Sequence, residues 1–328
     1  MTGVQQEIVG EDEGGQRLDR YLRRKFPQLS QGRIQKLLRT GQIRVDGKRC
    51  EASGKIEAGQ VVRIPPLENG GAEGGIPKRL HPVDEKQLAF LKRAVLFDDR
   101  DVLVLDKPAG LAVQGGSGLG DHHLDALLDG FAEDGERPRL VHRLDKDTTG
   151  VLVLARNRRA AQALTESFRL RETRKYYLAV VKGRLPENSG KVALKLAKRG
   201  LKGQERMEVA EDGDRAVSLY RVLDRLGDAA ALVALWPQTG RTHQLRAHMA
   251  ALGCPIVGDA KYGGGECENL PGNHGHAMLL HAWRIILPHP HKGILDVSAP
   301  VPATFVKACR ELGLNLPGRG EDPFMDVE

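Results

Sequence analysis

The chain has 328 residues, 40% of them apolar, a formal net charge of +7 and a pI of about 9.2. That length and apolar content suit one large domain beside a small one, each with a packed core, and exclude a disordered chain. No apolar run approaches the ~20 residues that span a bilayer, and the opening MTGVQQEIVG has neither the basic nor the apolar region of a signal peptide, so a cytoplasmic protein is expected.

In chain order, residues 1–14 read as a lead-in, strand-like or frayed. Leu18, Tyr21, Leu22 and Phe26 share one helical stripe, with Arg17, Arg20, Arg23 and Arg24 mostly off it. Ser30 reads as the cap of a second helix whose stripe is Ile34, Leu37 and Leu38, with Arg33, Lys36 and Arg39 off it and Gly41 as its stop. Ile43 and Val45, the turn dipeptide Asp46-Gly47 and the following KRC read as a hairpin, and VVRI (61–64) as a closing strand. Residues 15–64 are therefore a small module of two helices and an antiparallel sheet with a basic helix face. Arg17–Arg63 carries thirteen basic and four acidic residues, a local net of +9 that exceeds the whole-chain charge. One concentrated basic module is the footprint of a polyanion-binding surface, although a solvated charged face has the same composition.

Residues 65–87, opening PPLENGGAEGG, read as a Pro/Gly-rich linker. Residues 88–316 alternate strand-like runs at 102–106, 151–155, 176–183, 217–223, 230–236 and 283–287 with helical runs at 158–170 and 241–253. The order predicts an α+β domain with a largely antiparallel or mixed sheet. Residues 317–328 read as a loose tail.

Four segments bear chemistry. LDKPAGLAVQGGSG (105–118) ends a strand in a glycine-rich loop where Gly110, Gly115 and Gly116 permit close approach of backbone to a ligand. A tight structural loop fits it equally. It has neither Walker spacing nor GxGxxG, so no nucleotide cofactor is expected. VHRLDKDTTGVLVLA (141–155) places Asp145, flanked by Arg143 and Lys146, just before a strand apolar enough to be buried. A surface turn and a rigidly held carboxylate both fit. QTGRTHQLRAHMAALG (238–253) sets Arg241 at a helix start, where a cation opposes the macrodipole and needs an anion. HGHAMLLHAWRIILPHPHKG (274–293) is histidine-rich, with Cys267 nearby. It matches neither HExxH nor a finger spacing, and the four cysteines (Cys50, Cys254, Cys267, Cys309) form no CxxC, so no metal is expected.

Together these blocks resemble the RluA/RluC/RluD family of pseudouridine synthases over nearly the whole chain. HRLDKDTTG (142–150) is similar to the family signature HRLDxxTSG. LDKPAG, GRTHQLRAHM, GCPIVGD and LLHAWRIILPHP resemble further family blocks in the same order. Thr149 stands where the family usually has serine; the hydroxyl is retained, so the turn should survive. The basic module resembles an S4 RNA-binding domain, and AVQGGSG and VRIPP are most similar to the RluC-type branch, which modifies large-subunit (23S) ribosomal RNA.

The resemblance implies a bifurcated, mainly antiparallel mixed sheet with flanking helices plus the small α/β S4-like module. It also implies isomerisation of uridine to pseudouridine by a cofactor-free enzyme, expected to be monomeric. By resemblance Asp145 is the catalytic carboxylate, Arg241 its partner, and Tyr177 in RKYYLAVV the tyrosine that stacks on the base. Arg143 and His142 would contact RNA beside Asp145, Gly115 and Gly116 would let RNA approach, and Arg33, Lys36 and Arg39 would dock it. Tyr176 would point to the opposite strand face. The alternatives are the same chemistry on transfer RNA and a non-catalytic S4-domain ribosome-assembly factor. A thiolase or methyltransferase would need a cysteine pair or a glycine fingerprint that is absent.

Overall fold

The computed structural model of the chain describes residues 4–26, 29, 31–67, 85–115, 123–133, 135–200, 205–263, 270, 277–318 and 320–327. They form two units that divide between residues 82 and 83.

The first unit runs β1 (Gln5–Ile8), α1 (Leu18–Lys25), α2 (Gln31–Arg39), β2 (Arg44–Val45) and β3 (Val61–Ile64). The apolar stripes of both helices close over the sheet: Leu18, Tyr21, Leu22, Ile34, Leu37 and Leu38 join Ile43, Val62 and Ile64 in one core. The complementary face of α2 leaves Arg33, Lys36 and Arg39 exposed, as the period of that segment predicts. The expected Ser30 cap lies outside the described residues. Asp46 (φ 47°) and Gly47 (φ 75°) make the tight turn that their dipeptide predicts. Beyond it only Lys48 pairs back with Val45, and β2 takes β3 as its partner. Of the two readings of the lead-in, the strand-like one holds. β1 pairs antiparallel with β3, Gln5 opposite Ile64 and Ile8 opposite Val61, and Val9 is buried in the core, so this segment completes the sheet.

The first described element of the second unit is α3 (Glu85–Arg93), which overlaps the end of the 65–87 linker reading; residues 68–84 lie outside the description. It continues β4 (Val95–Asp98), β5 (Val102–Lys107), α4 (Leu124–Leu127), β6 (Arg139–Leu140), β7 (Thr149–Ala155), α5 (Arg158–Leu170), β8 (Arg174–Lys182) and β9 (Ser189–Arg199). Then follow β10 (Arg206–Val209), β11 (Asp214–Leu226), β12 (Ala230–Pro237), α6 (Gln244–Ala251), β13 (Leu280–Pro288), β14 (Ile294–Ser298) and α7 (Ala303–Glu311). The sheet runs β10-β9-β11-β12-β8-β13-β7-β5-β4, with β14 added to β13 and β6 to β7.

Every pairing is antiparallel except β13 with β7. Strand β13 is where the sheet forks. One edge pairs with β8, while the other pairs with β7 at His281 and Ala282 and with β14 from Arg284 to Pro288. Gly150 makes the fork possible: its φ is 106°, and a Cβ there would run into the Ala282 carbonyl. Thr149 Oγ1 bonds His281 Nδ1 at 2.8 Å across the same pairing, so the hydroxyl that replaces serine holds the turn as expected.

The segment expected as a loose tail is docked at Asp322 and Phe324. Phe324 is 2% exposed and packs on Tyr176 and Trp236, with ring centroids 5.4 and 5.6 Å away, while Tyr176 donates its hydroxyl to Asp322 Oδ2 at 3.2 Å. One aromatic anchor in a polar segment is enough to dock it. Tyr176 therefore belongs to the core on the strand face opposite Tyr177.

Candidate active site

The loop between β6 and β7 carries Asp145, and it is pinned on both sides. Leu144 is buried in a core with Leu105, Leu152 and Leu154, and Thr148 is 2% exposed. Lys107, at the end of β5, is wholly buried and donates from Nζ to the carbonyls of Pro108 (2.7 Å), Leu111 (2.9 Å) and Lys146 (2.8 Å). One ammonium thus ties the glycine-rich loop to the residue after Asp145. Burial brings Lys107 down to about 8, against the opposing pull of Asp147, Asp145 and Asp106. Its first role is therefore structural.

Asp145 is part-buried at the boundary of two clefts. One, of about 530 Å³, is lined by His142, Arg143, Lys175, Tyr177 and Arg246 among others. The other, of about 720 Å³, is lined by Gly115, Arg143, Lys146, His243 and Arg246 among others. The nearest cation is Arg246 on the first turn of α6, whose Nη1 lies 3.5 Å from Asp145 Oδ2. Arg246 is itself held by Asp259, Nε to Oδ2 and Nη2 to Oδ1 both at 2.7 Å, and its guanidinium lies 5.1 Å from the centre of the Tyr262 ring. Such a bidentate, stacked fork has no rotational freedom left.

His243 completes the group. It occupies the left-handed region (φ 49°) just before α6, with Nε2 3.9 Å from Asp145 Oδ2 and Nδ1 3.1 Å from the Tyr262 hydroxyl. The Tyr262 oxygen already accepts from the Met207 amide at 2.7 Å. Its own hydrogen is free to go to His243 Nδ1, and in that neutral tautomer the N–H at Nε2 turns toward Asp145. Burial pushes the His243 pKa down, which keeps the ring neutral, although Asp145 opposes the shift.

Tyr177 lines the smaller cleft from the middle of β8, between Leu235 of β12 and Ala282 of β13. Burial, and then the Asp145 charge, raise its pKa, so the phenol keeps its proton at neutral pH.

The comparisons with known proteins agree with one another. The family model for RNA pseudouridylate synthase matches residues 101–251, and that for the S4 domain matches residues 16–62. The chain is 37% identical over 297 residues to the ribosomal large subunit pseudouridine synthase C of Pasteurella multocida, covering 89% of each. It is 35% identical over 306 residues to the protein of that name from Escherichia coli K12, covering 92% of this chain and 94% of the other. The chain belongs to the RNA pseudouridylate synthase family. Its fold is similar to the human RNA pseudouridylate synthase domain containing 4, with a TM-score of 0.60 at 30% identity over 71% of this chain and 98% of that one.

Within this pseudouridine synthase, Asp145, Tyr177 and Arg143 meet at one cleft, with Arg143 exposed on its rim. Arg241 lines the same cleft but does not pair with Asp145. It lies before α6 in an exposed turn, with Nη1 3.1 Å from Asp214 Oδ2 and Nε 3.4 Å from the Arg215 carbonyl. The helix starts three residues later than the sequence suggests because Gln244 folds back to accept from the Arg241 amide at 3.1 Å and donates to Val217 O and Ser218 Oγ, both at 2.9 Å. Arg246 therefore takes the place expected of Arg241.

His142 lines the cleft, but its ring is engaged inward. Its Nε2 accepts from the Val153 amide at 2.8 Å and it stacks on Phe168 at 4.7 Å. Burial, and secondarily the Lys175 charge, push it down to about 3, so it is a neutral support for the loop rather than a contact for phosphate. Gly115 lines the larger cleft and leaves no room for a Cβ beside His123, whereas Gly116 lies outside the described residues. Arg33, Lys36 and Arg39 lie on the first unit, away from these clefts in sequence.

Of the histidine-rich stretch, His281 is buried in β13 and His289 Nε2 pairs with Asp99 Oδ2 at 3.0 Å. His274, His276 and Cys267 lie outside the described residues, and no metal-holding cluster occurs among the described ones. Sequence reasoning passed over Lys107, His243, Arg246, Asp259 and Tyr262. Four of them stand in the blocks LDKPAG, GRTHQLRAHM and GCPIVGD that carry the resemblance.

Proposed function

We propose that this pseudouridine synthase acts on uridines of large-subunit ribosomal RNA in the cytoplasm, with Asp145 as its catalytic carboxylate. The observation that carries the site assignment is the chain of contacts from Asp259 through Arg246 to Asp145, at a cleft whose wall carries Tyr177. The target class rests on the relatives, whose names state the large ribosomal subunit.

The reaction breaks the N1–C1′ bond, turns the uracil and forms C5–C1′; the C5 proton leaves and N1 gains one. No electron or phosphoryl group changes hands. An ionised carboxylate at C1′ can add there, or take the C2′ proton, and both routes place Asp145 at the same sugar edge. Arg246 fixes the carboxylate rotamer, so little reorganisation is needed on the way to the transition state. Tyr177 offers a π-face to the detached uracil, and its neutral hydroxyl can act at C5 only as a relay, taking up the C5 proton as its own passes on to water. A stacked uridine hides C1′ from any side chain, so the nucleotide must be extruded at a cost of a few kcal/mol. Arg143, on the rim of both clefts, is placed to hold it out, and the basic face of α2 supplies phosphate contacts that offset that cost.

The test is to map pseudouridines in total RNA from cells with and without this protein. Sites lost from large-subunit ribosomal RNA are the expected result. Losses confined to transfer RNA would overturn the target.

A further inference from the structure

The smaller cleft has a second end that the chemistry at Asp145 does not use. Strands β8 and β12 are antiparallel, so the start of β8 and the end of β12 lie at the same end of their ladder. Thr173 and Lys175 stand at that end of β8, Gln238 just beyond β12, and Arg171 caps α5; all four line the cleft. Thr173 Oγ1 and Gln238 Nε2 are buried side-chain atoms with no hydrogen-bond partner among the described residues. A buried polar atom without a partner carries its full desolvation cost, and such atoms are uncommon in native proteins.

Lys175 adds a charge to this corner. Its ammonium lies 5.8 Å from the centre of the Phe168 ring, beside the neutral His142. Burial alone brings its pKa down to about 8, with no carboxylate opposing the shift. Among the described residues lining the cleft, Asp145 is the one carboxylate. Arg171 holds the left-handed conformation (φ 63°) that usually goes to glycine, and as an exposed arginine lining the cleft it brings a guanidinium to this end. The corner thus offers an ammonium, a guanidinium, an amide N–H and a hydroxyl. Donors without acceptors are the complement of an anion.

We infer that the corner formed by Lys175, Thr173, Gln238 and Arg171 binds a backbone phosphodiester of the RNA strand next to the extruded uridine. Lys175 and Tyr177 are two residues apart on one strand and face the same way. The phosphate contact therefore sets where the base falls relative to Tyr177 and Asp145. The inference rests on the RNA-modifying reading but not on which RNA is the natural target.

The experiment compares wild type with Lys175→Met, Lys175→Arg and the near-isosteric Thr173→Val on an unmodified transcript of large-subunit ribosomal RNA. Binding is measured from low to moderate salt, and KM and kcat are measured separately. For Lys175→Met the expected results are a KM raised roughly tenfold, with kcat changed far less, and a loss of one charge-assisted contact. The slope of log affinity against log salt should shrink by about 0.7, the share of one single-strand phosphate. Lys175→Arg should restore most of that slope, and Thr173→Val should raise KM a few-fold. A slope unchanged in a folded Lys175→Met protein would overturn the inference, as would a fall in kcat at constant KM, which would make Lys175 part of the chemistry. Should Lys175→Met fail to fold, an unaltered KM in Thr173→Val overturns it instead. Inorganic phosphate is the control ligand: competition by phosphate alone at millimolar concentration, with no change in the RNA slope, would assign the corner to a free anion. Wild type that binds the transcript without forming pseudouridine would sink the target assignment, while the slope comparison would still judge the corner.

Discussion

Arg246 and Arg241 stand five residues apart, one inside α6 and one before it, and the difference decides which arginine matters. Arg246 is buried and gripped by Asp259, whereas Arg241 sits in solvent against Asp214. Arg246→Met should therefore lower pseudouridine formation by roughly a hundredfold or more, because it frees the carboxylate and strands the buried Asp259 charge. Arg241→Met should change the rate by no more than a few-fold, as an exposed pair is worth little. Single-turnover rates on one RNA check both; the opposite ranking would restore Arg241. HRLDKDTTG points to Asp145 and RKYYLAVV to Tyr177, and the two line one cleft. The partner was not legible, because helical periodicity assumes one apolar and one wet face. In α6 the residues Leu245, Arg246, Ala247, His248 and Met249 are all buried, so that contrast is missing.

Elements carry the site through the fork at β13. The parallel step from β7 to β13 sets the end of the Asp145 loop one strand from β8, with Ala282 between Gly150 and Tyr177. Gly150→Ala should destabilise the domain by roughly 2 kcal/mol or more, since φ 106° is strained for alanine and its Cβ meets the Ala282 carbonyl. Urea unfolding checks this, and an unchanged midpoint would contradict the fork as drawn. Apolar runs revealed β5, β7, β8, β12 and β13, and α5 was read to the residue. Strand β9 was not seen because lysines interrupt its alternation, SGKVALKLAKR; it is held by pairing with β11 rather than by a continuous apolar run. The closing segment was misread for a related reason. Composition averages over twelve residues, whereas docking depends on the single ring of Phe324.

At the scale of the molecule, burial leaves several neutral histidines that the unfolded chain would protonate. His142 is pushed to about 3, and His248 and His281 to about 4, from an ordinary 6.5. Below pH 6.5 the unfolded state takes up protons that the folded state refuses, so stability falls as pH drops toward 4. Asp106 works the other way: burial raises it to about 6, and the folded state gains that proton first. Three groups against one leave a net loss, about 1.4 kcal/mol per pH unit for each net proton. Urea midpoints at pH 7.5 and 5 should show the lower value at pH 5, and equal midpoints would mean that these histidines are solvated. The two-unit division was legible from charge and from the Pro/Gly-rich stretch, because a basic S4-type module and a long apolar sheet differ in composition. The central claim remains that Asp145 performs the isomerisation. The most direct measurement is pseudouridine formation by Asp145→Asn on an unmodified large-subunit ribosomal RNA transcript, with RNA binding measured on the same preparation. RNA affinity close to wild type with no pseudouridine formed is the predicted result; turnover at a substantial fraction of the wild-type rate would contradict the account.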